Sequence, residues 1–263
     1  MSGRGTDTVT HPPPAAWRPS TWRRPPPTPR PVRWFHLVAV LAIAAGANIA
    51  ANLWLPDAWD VPFNLAAGAL ALGVALHAGA TLHELGLRPD RLRRGFVVGL
   101  LAAASIVAAV VGLAFVPGAR RFLADDRVVG ASAGAIAFQA LVRIPLATAL
   151  YEELLFRGVV FGLLVRHLTV LAAAAISALL FGLWHVLPTI ATLEVNPAGD
   201  VVAGTAGATL AVAAAVAGTA VAGAGFLWLR LRAESLVAPV LAHIATNAPA
   251  LVLAWLLAGR GVS

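Results

Sequence analysis

Seven long apolar stretches dominate this sequence of 263 residues. Each has about 20 residues or more, the length that an α-helix needs to cross the hydrocarbon core of a bilayer. They are runs of Leu, Ala and Val rather than alternating barrel strands, so their backbone must form its hydrogen bonds within each stretch. The stretches span about 34 to 54, 64 to 82, 96 to 116, 134 to 165, 168 to 187, 201 to 229 and 235 to 257. The sequence therefore predicts an all-α, polytopic transmembrane bundle of seven or eight helices.

The helix number stays open because the fourth and sixth stretches are longer than one crossing requires, so each either tilts strongly or breaks in two. Composition agrees with a membrane protein, since 59% of the residues are hydrophobic and only 12% are charged. The chain has no cysteine, which excludes disulfides, thiolate metal sites and cysteine nucleophiles.

Charge asymmetry predicts the orientation. Residues 1 to 33 are rich in Pro and Arg with a single acid, Asp7, which is typical of a disordered tail. The basic loops that follow predict that this tail is cytoplasmic, in a multi-pass protein of the inner (plasma) membrane with its C-terminus outside. The basic loops contain Arg88, Arg91, Arg93 and Arg94, then Arg166, then Arg230 and Arg232. The loops predicted to lie on the outer side of the membrane contain Asp57, Asp60, Glu194 and Asp200. This role in orientation accounts for much of the net charge of +7, and we expect no nucleic-acid partner.

Few strongly polar side chains lie inside the apolar stretches, where an ionisable group costs about 2.5 to 3.5 kcal/mol at a helix centre. They are Arg143, Glu152, Glu153 and Arg157 in the fourth stretch, His185 in the fifth, and His243 and Asn247 in the seventh. Such residues indicate a functional site by default.

Helical spacing relates these side chains to one another. Glu153 and Arg157 are four residues apart with the acid first, which predicts an ion pair along one helix face. Glu152 is turned by about 100° from this pair and has no intrahelical partner. A second carboxylate beside a negative neighbour in a low-dielectric place gains affinity for a proton, as a general base requires. His243 and Asn247 share a face, and His185 would complete the cluster.

Structural alternatives exist for each residue. Glu153 and Arg157 can form a buried ion pair without catalytic function, and a lone His or Asn in an apolar helix can bond to a neighbouring helix. Arg143 either extends outward to the membrane surface or supports the carboxylates. We interpret His77, His83 and Glu84, near the inner end of the second stretch, as structural.

Three motifs nevertheless occur in order on three apolar stretches. They are Glu152-Glu153-x-x-x-Arg157, Phe181-x-x-x-His185 and His243-x-x-x-Asn247. Together they resemble the CPBP family of intramembrane proteases, which includes the CAAX prenyl endopeptidases and the bacterial Abi proteins. The resemblance covers about residues 140 to 250 of a predicted helical domain from 34 to 260, and Glu84-Leu-Gly-Leu is similar to a stretch often found before a basic loop in the family.

The resemblance implies an endopeptidase that hydrolyses a peptide or protein substrate in a cavity within the bilayer. It implies that Glu152 and His185 activate water, that His243 and Asn247 stabilise the oxyanion, and that Glu153 and Arg157 orient the site. It leaves metal dependence open. A zinc or other divalent ion would be held by Glu152, His185 and His243, although the sequence has no His-Glu-x-x-His pattern.

Two other functional classes are compatible with the same sequence. The helices and their polar cluster can form a non-catalytic module, such as a bacteriocin self-immunity or scaffold protein. They can also form a proton- or ion-coupled transporter, which is less favoured because no internal repeat with paired broken helices is evident. The sequence does not identify the substrate.

Overall fold

The computed structural model of this protein describes residues 33–116, 125–195 and 204–258. These residues contain seven helices or helix pairs that are long and apolar enough to cross a membrane, and no β-strand. The prediction of an all-α transmembrane bundle is confirmed, with seven crossings in the described ranges, and the chain is a multi-pass membrane protein. The tail up to residue 32 lies outside the described residues, as do Arg120, Arg121 and Asp200.

Each of the first four crossings is one continuous helix. They are α1 (Trp34–Leu53), α2 (Asp60–His77), α3 (Leu92–Leu113) and α4 (Ala133–Leu164). The fifth crossing consists of α5 (Val170–Trp184) and α6 (Val186–Val195), and the last two are α7 (Gly204–Ala233) and α8 (Val237–Ala258). Short 3₁₀ turns precede α2, α3 and α4.

Two of the predicted crossings need a correction that concerns their polar residues. The second crossing begins and ends about four residues earlier than predicted, because the polar start at Asp60 is accommodated within the helix rather than left in a loop. The fifth crossing continues past 187 to Val195 after an interruption at His185. Glu84 lies in the loop after α2, seven residues beyond the end of the helix.

α4 departs from regular α-helical geometry over most of its length. It begins as an α-helix capped by the Ser132 hydroxyl and becomes a π-helix from Gln139 to Leu150 and again from Glu153 to Val160. Pro145 lies in the first π segment and has no N–H to donate. Widened turns of this kind are frequent at functional sites. From Tyr151 to Leu164 nearly every residue of α4 is buried, so Glu152 and Glu153 are both inside although they are adjacent.

One end of the bundle is held together by the loop between α2 and α3. We call it the basic end, because Arg88, Arg91, Arg93, Arg94, Arg166, Arg230 and Arg232 lie there. Arg166 donates to both carboxylate oxygens of Glu84 at 2.7 and 2.6 Å, and Arg230 donates to the Glu84 carbonyl. Gly162 of α4 lets the loop approach closely, since a Cβ there would lie 3.0 Å from the same carbonyl oxygen. These contacts support the structural interpretation of Glu84.

Burial of the Glu84 carboxyl group would by itself raise its pKa, but the hydrogen bonds from Arg166 and from Thr81 hold it below the ordinary value of 4.5. Glu84 is therefore an anion at neutral pH, and its ion pair with Arg166 ties the loop after α2 to the end of α4.

Candidate active site

The three motifs converge in the middle of the bundle from α4, from the α5–α6 junction and from α8. Glu152, Glu153 and Arg157 lie on α4, His185 lies at the junction, and His243 and Asn247 lie on α8. α4 and α8 pack directly against each other, which brings the first and third motifs into contact.

Glu153 is the centre of a buried charged network. Its Oε1 atom lies 2.9 Å from a guanidinium nitrogen of Arg157 and 2.8 Å from His243 Nδ1. The three residues are at most 3% exposed. The ion pair predicted from the four-residue spacing is thus present, and it extends to a histidine on another helix. Because a carboxylate accepts hydrogen bonds, His243 carries its proton on Nδ1 and directs Nε2 away from Glu153.

Aromatic side chains enclose this network on the other faces. The Arg157 guanidinium lies 3.8 Å from the centre of the Phe181 ring, and the Phe226 ring stacks on His243 with centroids 5.0 Å apart. A cation over an aromatic face is stabilised by the ring quadrupole, most strongly where water is excluded. Phe181 is the first residue of the second motif. Its ring packs against both Arg157 and His185, which is its role in the site.

Glu152 has different neighbours from Glu153. Its Oε1 accepts a hydrogen bond from the Trp184 indole at 3.0 Å, and its Oε2 lies 3.8 Å from His243 Nε2. Among the described residues none donates a hydrogen bond to Oε2, which leaves that oxygen able to accept one from a water molecule or a substrate. Trp184 was not identified from the sequence, although its position directly before His185 was a signal. Asn48 of α1 donates to the Trp184 carbonyl at 2.8 Å and fixes that end of α5.

His185 occupies the break between α5 and α6. Its Nδ1 lies 2.8 Å from the Phe181 carbonyl oxygen. A carbonyl oxygen only accepts hydrogen bonds, so Nδ1 carries the proton and Nε2 of the neutral ring is an acceptor. The helix is interrupted at this residue, and the His185 ring lines the same cavity as Glu152.

A polar cavity of about 440 Å³ connects these groups. Glu152, Trp184, His185 and Asn247 line it together. A second cavity of about 620 Å³ adjoins it and shares Gln139, Arg143 and Asn247 in its wall. His185 thus meets Glu152 across a cavity, whereas its own hydrogen bond is to Phe181. The predicted cluster of a carboxylate, two imidazoles and an amide is brought together by the fold.

Arg143 extends toward the end of the bundle where α2 begins, which is the first of the two roles considered from the sequence, and it lies 3.9 Å from the exposed Asp57. It pairs with Asp60 of α2, and it donates to Gln139 at 3.2 Å. It therefore lines the cavity without contacting Glu152 or Glu153, because a carboxylate of α2 is closer.

The donor set does not fit a bound metal ion. In the described part of the chain, no group of three or more His, Asp or Glu side chains is arranged to hold one. The two ring nitrogens of His243 face different carboxylates, and Nδ1 is already hydrogen-bonded to Glu153. The set of Glu152, His185 and His243 considered above is not formed as a ligand set.

The segment that contains the three motifs is similar to a known protein family. The family model described as type II CAAX prenyl endopeptidase Rce1-like matches residues 133–249, which contain all three motifs. No match was found among curated proteins or among solved structures. The family match implies CAAX-type proteolytic activity on a peptide or protein substrate in a membrane. It confirms that this chain, over the segment that builds the polar site, is similar to the CAAX prenyl endopeptidases of the CPBP family.

Proposed function

We propose that this protein is an intramembrane endopeptidase in which Glu152 and His185 activate a water molecule for attack on a peptide bond. The observation that carries the proposal is the shared cavity. Glu152, His185 and Asn247 line one polar space inside an otherwise apolar bundle, and His243 Nε2 lies 3.8 Å from Glu152 Oε2. A wet cavity is needed because a peptide bond in lipid is shielded from water.

Glu152 and His185 are both suited to accept a proton from water. Glu152 Oε2 receives no hydrogen bond from the described residues, and the Trp184 indole holds Oε1 in place. His185 presents an acceptor at Nε2 because its Nδ1 is committed to a carbonyl. The water oxygen attacks the carbonyl carbon as Glu152, assisted by His185, takes a water proton, and the proton passes to the amine nitrogen as the C–N bond breaks. General base catalysis of this kind contributes about 10² to 10⁴ in rate.

His243 and Asn247 are placed to stabilise the oxyanion. Glu153 fixes the imidazole by accepting from Nδ1, and Nε2 lies 3.8 Å from Glu152 Oε2, where a doubly protonated ring would present a second N–H beside the reacting groups. The Asn247 amide, four residues further along α8, supplies a neutral donor. Loss of one such donor typically costs about 10² to 10³ in rate. Glu153 and Arg157 act as positioning residues behind His243.

The test is cleavage by the purified protein. The wild-type chain and the Glu152→Gln, His185→Phe and Glu194→Gln variants are incubated with a peptide library in lipid nanodiscs, and products are identified by mass spectrometry. Glu194 is an exposed glutamate of α6 and serves as the matched control. We expect Glu194→Gln to retain cleavage and the other two variants to lose it. Cleavage by Glu152→Gln at the wild-type rate would contradict the proposal and would favour a non-catalytic membrane module.

A further inference from the structure

The cavity beside Glu152 is lined from one end of the bundle only. Consecutive crossings alternate in direction, so the end of α1, the start of α2, the segment before α4 and the end of α6 all lie opposite the basic end. Asn52, Asp60, Arg127 and Thr192 come from these four places, and all of them line the cavities. The lining thus continues from the polar surface at that end down to Glu152.

Toward the basic end the same site is closed. The stretch of α4 that follows Glu153 is the most deeply buried part of the bundle, and Leu155, Val159 and Val160 are all 0% exposed. Arg157 and Phe181 stack across the adjoining space. Water and substrate therefore have a path to Glu152 from the end opposite the basic end.

The distribution of charges indicates which membrane face this is. The basic end carries the Arg residues of the α2–α3, α4–α5 and α7–α8 connections, and the Arg-rich tail enters α1 there. The connections at the opposite end carry fewer Arg residues, namely Arg120, Arg121 and Arg127 between α3 and α4, and Arg127 is paired with Asp125 at 2.6 Å. An excess of Arg in short loops marks the cytoplasmic face.

We infer that the active-site cavity opens to the non-cytoplasmic face, and that the substrate is a peptide segment presented on that side of the membrane. The direction of access rests on the cavity and the charges alone. The nature of the substrate rests in addition on the proposed endopeptidase function.

The absence of cysteine from the natural chain makes a direct test possible. Single cysteines are introduced by Thr148→Cys, four residues before Glu152 in the cavity wall, and by Thr192→Cys nearer the opening. Arg93→Cys, exposed at the basic end, reports the cytoplasmic face. Ala173→Cys on α5 is the matched buried control, because Ala173 is 0% exposed. Each variant is treated with a membrane-impermeant maleimide in right-side-out and in inside-out membrane vesicles.

We expect the cysteines at 148 and 192 to react in right-side-out vesicles and to lose labelling in inside-out vesicles. The cysteine at 93 should show the reverse, and the cysteine at 173 should react in neither. Labelling of the two cavity positions only from the cytoplasmic side, or from neither side, would overturn the inference.

Proteolysis is measured separately on the same two vesicle preparations with a peptide that the purified enzyme cleaves. We expect added peptide to be cleaved by right-side-out vesicles alone. Suppose that the cysteines at 148 and 192 are labelled from the non-cytoplasmic side but the purified protein cleaves no peptide. This result would contradict the endopeptidase function and leave the inferred direction of access unaffected. Cleavage together with labelling of these positions from the cytoplasmic side would overturn the direction of access and leave the enzyme function unaffected.

Discussion

The two adjacent glutamates of α4 should respond to mutation in opposite ways. Glu153→Ala removes the charged partner of Arg157, whose side chain is 1% exposed, and also the acceptor of His243 Nδ1. Breaking a buried ion pair by removal of one partner costs about 3 to 5 kcal/mol, because the remaining charge is left without compensation. For a chain of this size each kcal/mol lowers the melting temperature by about 2 to 4 °C, so we expect a decrease of about 6 to 20 °C.

Glu152→Gln should leave stability nearly unchanged. The amide oxygen of Gln still accepts from the Trp184 indole, and the substitution leaves no buried cation unpaired because Arg157 retains Glu153. We expect a change of no more than about 1 kcal/mol in the free energy of unfolding, together with loss of peptide cleavage. The eight tryptophans permit thermal unfolding to be followed by intrinsic fluorescence in detergent, beside the cleavage assay.

The double variant Glu153→Leu with Arg157→Met provides the control, since replacing a whole buried ion pair by apolar side chains is often close to neutral. It should melt well above Glu153→Ala while remaining inactive. The reasoning is refuted if Glu153→Ala melts within about 2 °C of the wild type, or if the double variant melts no higher than the single one.

Three further predictions concern the surroundings of the site. Trp184→Phe removes the charge-assisted hydrogen bond to Glu152 and should lower kcat about 10- to 100-fold at an unchanged melting temperature. Glu84→Gln should lower the melting temperature at neutral pH, and the difference should shrink as the pH falls below 4.5. The reason is that the pKa of Glu84 is depressed in the folded protein, so its stabilisation is present above that value and lost as the group protonates. Gly182→Ala puts a Cβ 2.5 Å from a backbone oxygen of α7 and should lower the free energy of unfolding by about 1 to 3 kcal/mol. In the control Gly218→Ala the added Cβ meets nothing within 4 Å, so this variant should not be destabilised. Chemical or thermal unfolding measures both variants against the wild type.

Much of the fold follows from the length and polarity of the apolar stretches. The seven crossings were predictable because each backbone must satisfy its own hydrogen bonds in lipid, which leaves few alternatives to a helix. The motif spacing likewise predicted the pairing of Glu153 with Arg157. It did not predict that the same carboxylate oxygen also binds His243, since that contact depends on how α4 and α8 pack.

Other features could not be derived from a regular helical period. The interruption at His185 and the π-helical turns of α4 both change the direction of side chains, and neither has an unambiguous sequence signal. Pro145 and Pro188 lie near these irregularities, but a proline alone does not specify the geometry that results. The hydrogen bond from Trp184 to Glu152 and the pairing of Arg143 with Asp60 depend on this geometry, which is why they were missed.

The position of α4 in the bundle also explains how neighbouring carboxylates acquire different roles. Residues one apart in a helix point about 100° away from each other, so on a helix in contact with lipid one of two adjacent glutamates would tend to face it. From Tyr151 to Leu164, α4 is buried at every position except the half-buried Leu154, which keeps both glutamates inside. Only Glu152 lines the cavity, and Glu153 is held in the dry network at 0% exposure. Pairing of Glu153 with Arg157 in the dry network reduces the cost of placing these charges in a bilayer. Glu152 is thereby left as the carboxylate that faces the cavity, which is the position that the proposed general base requires.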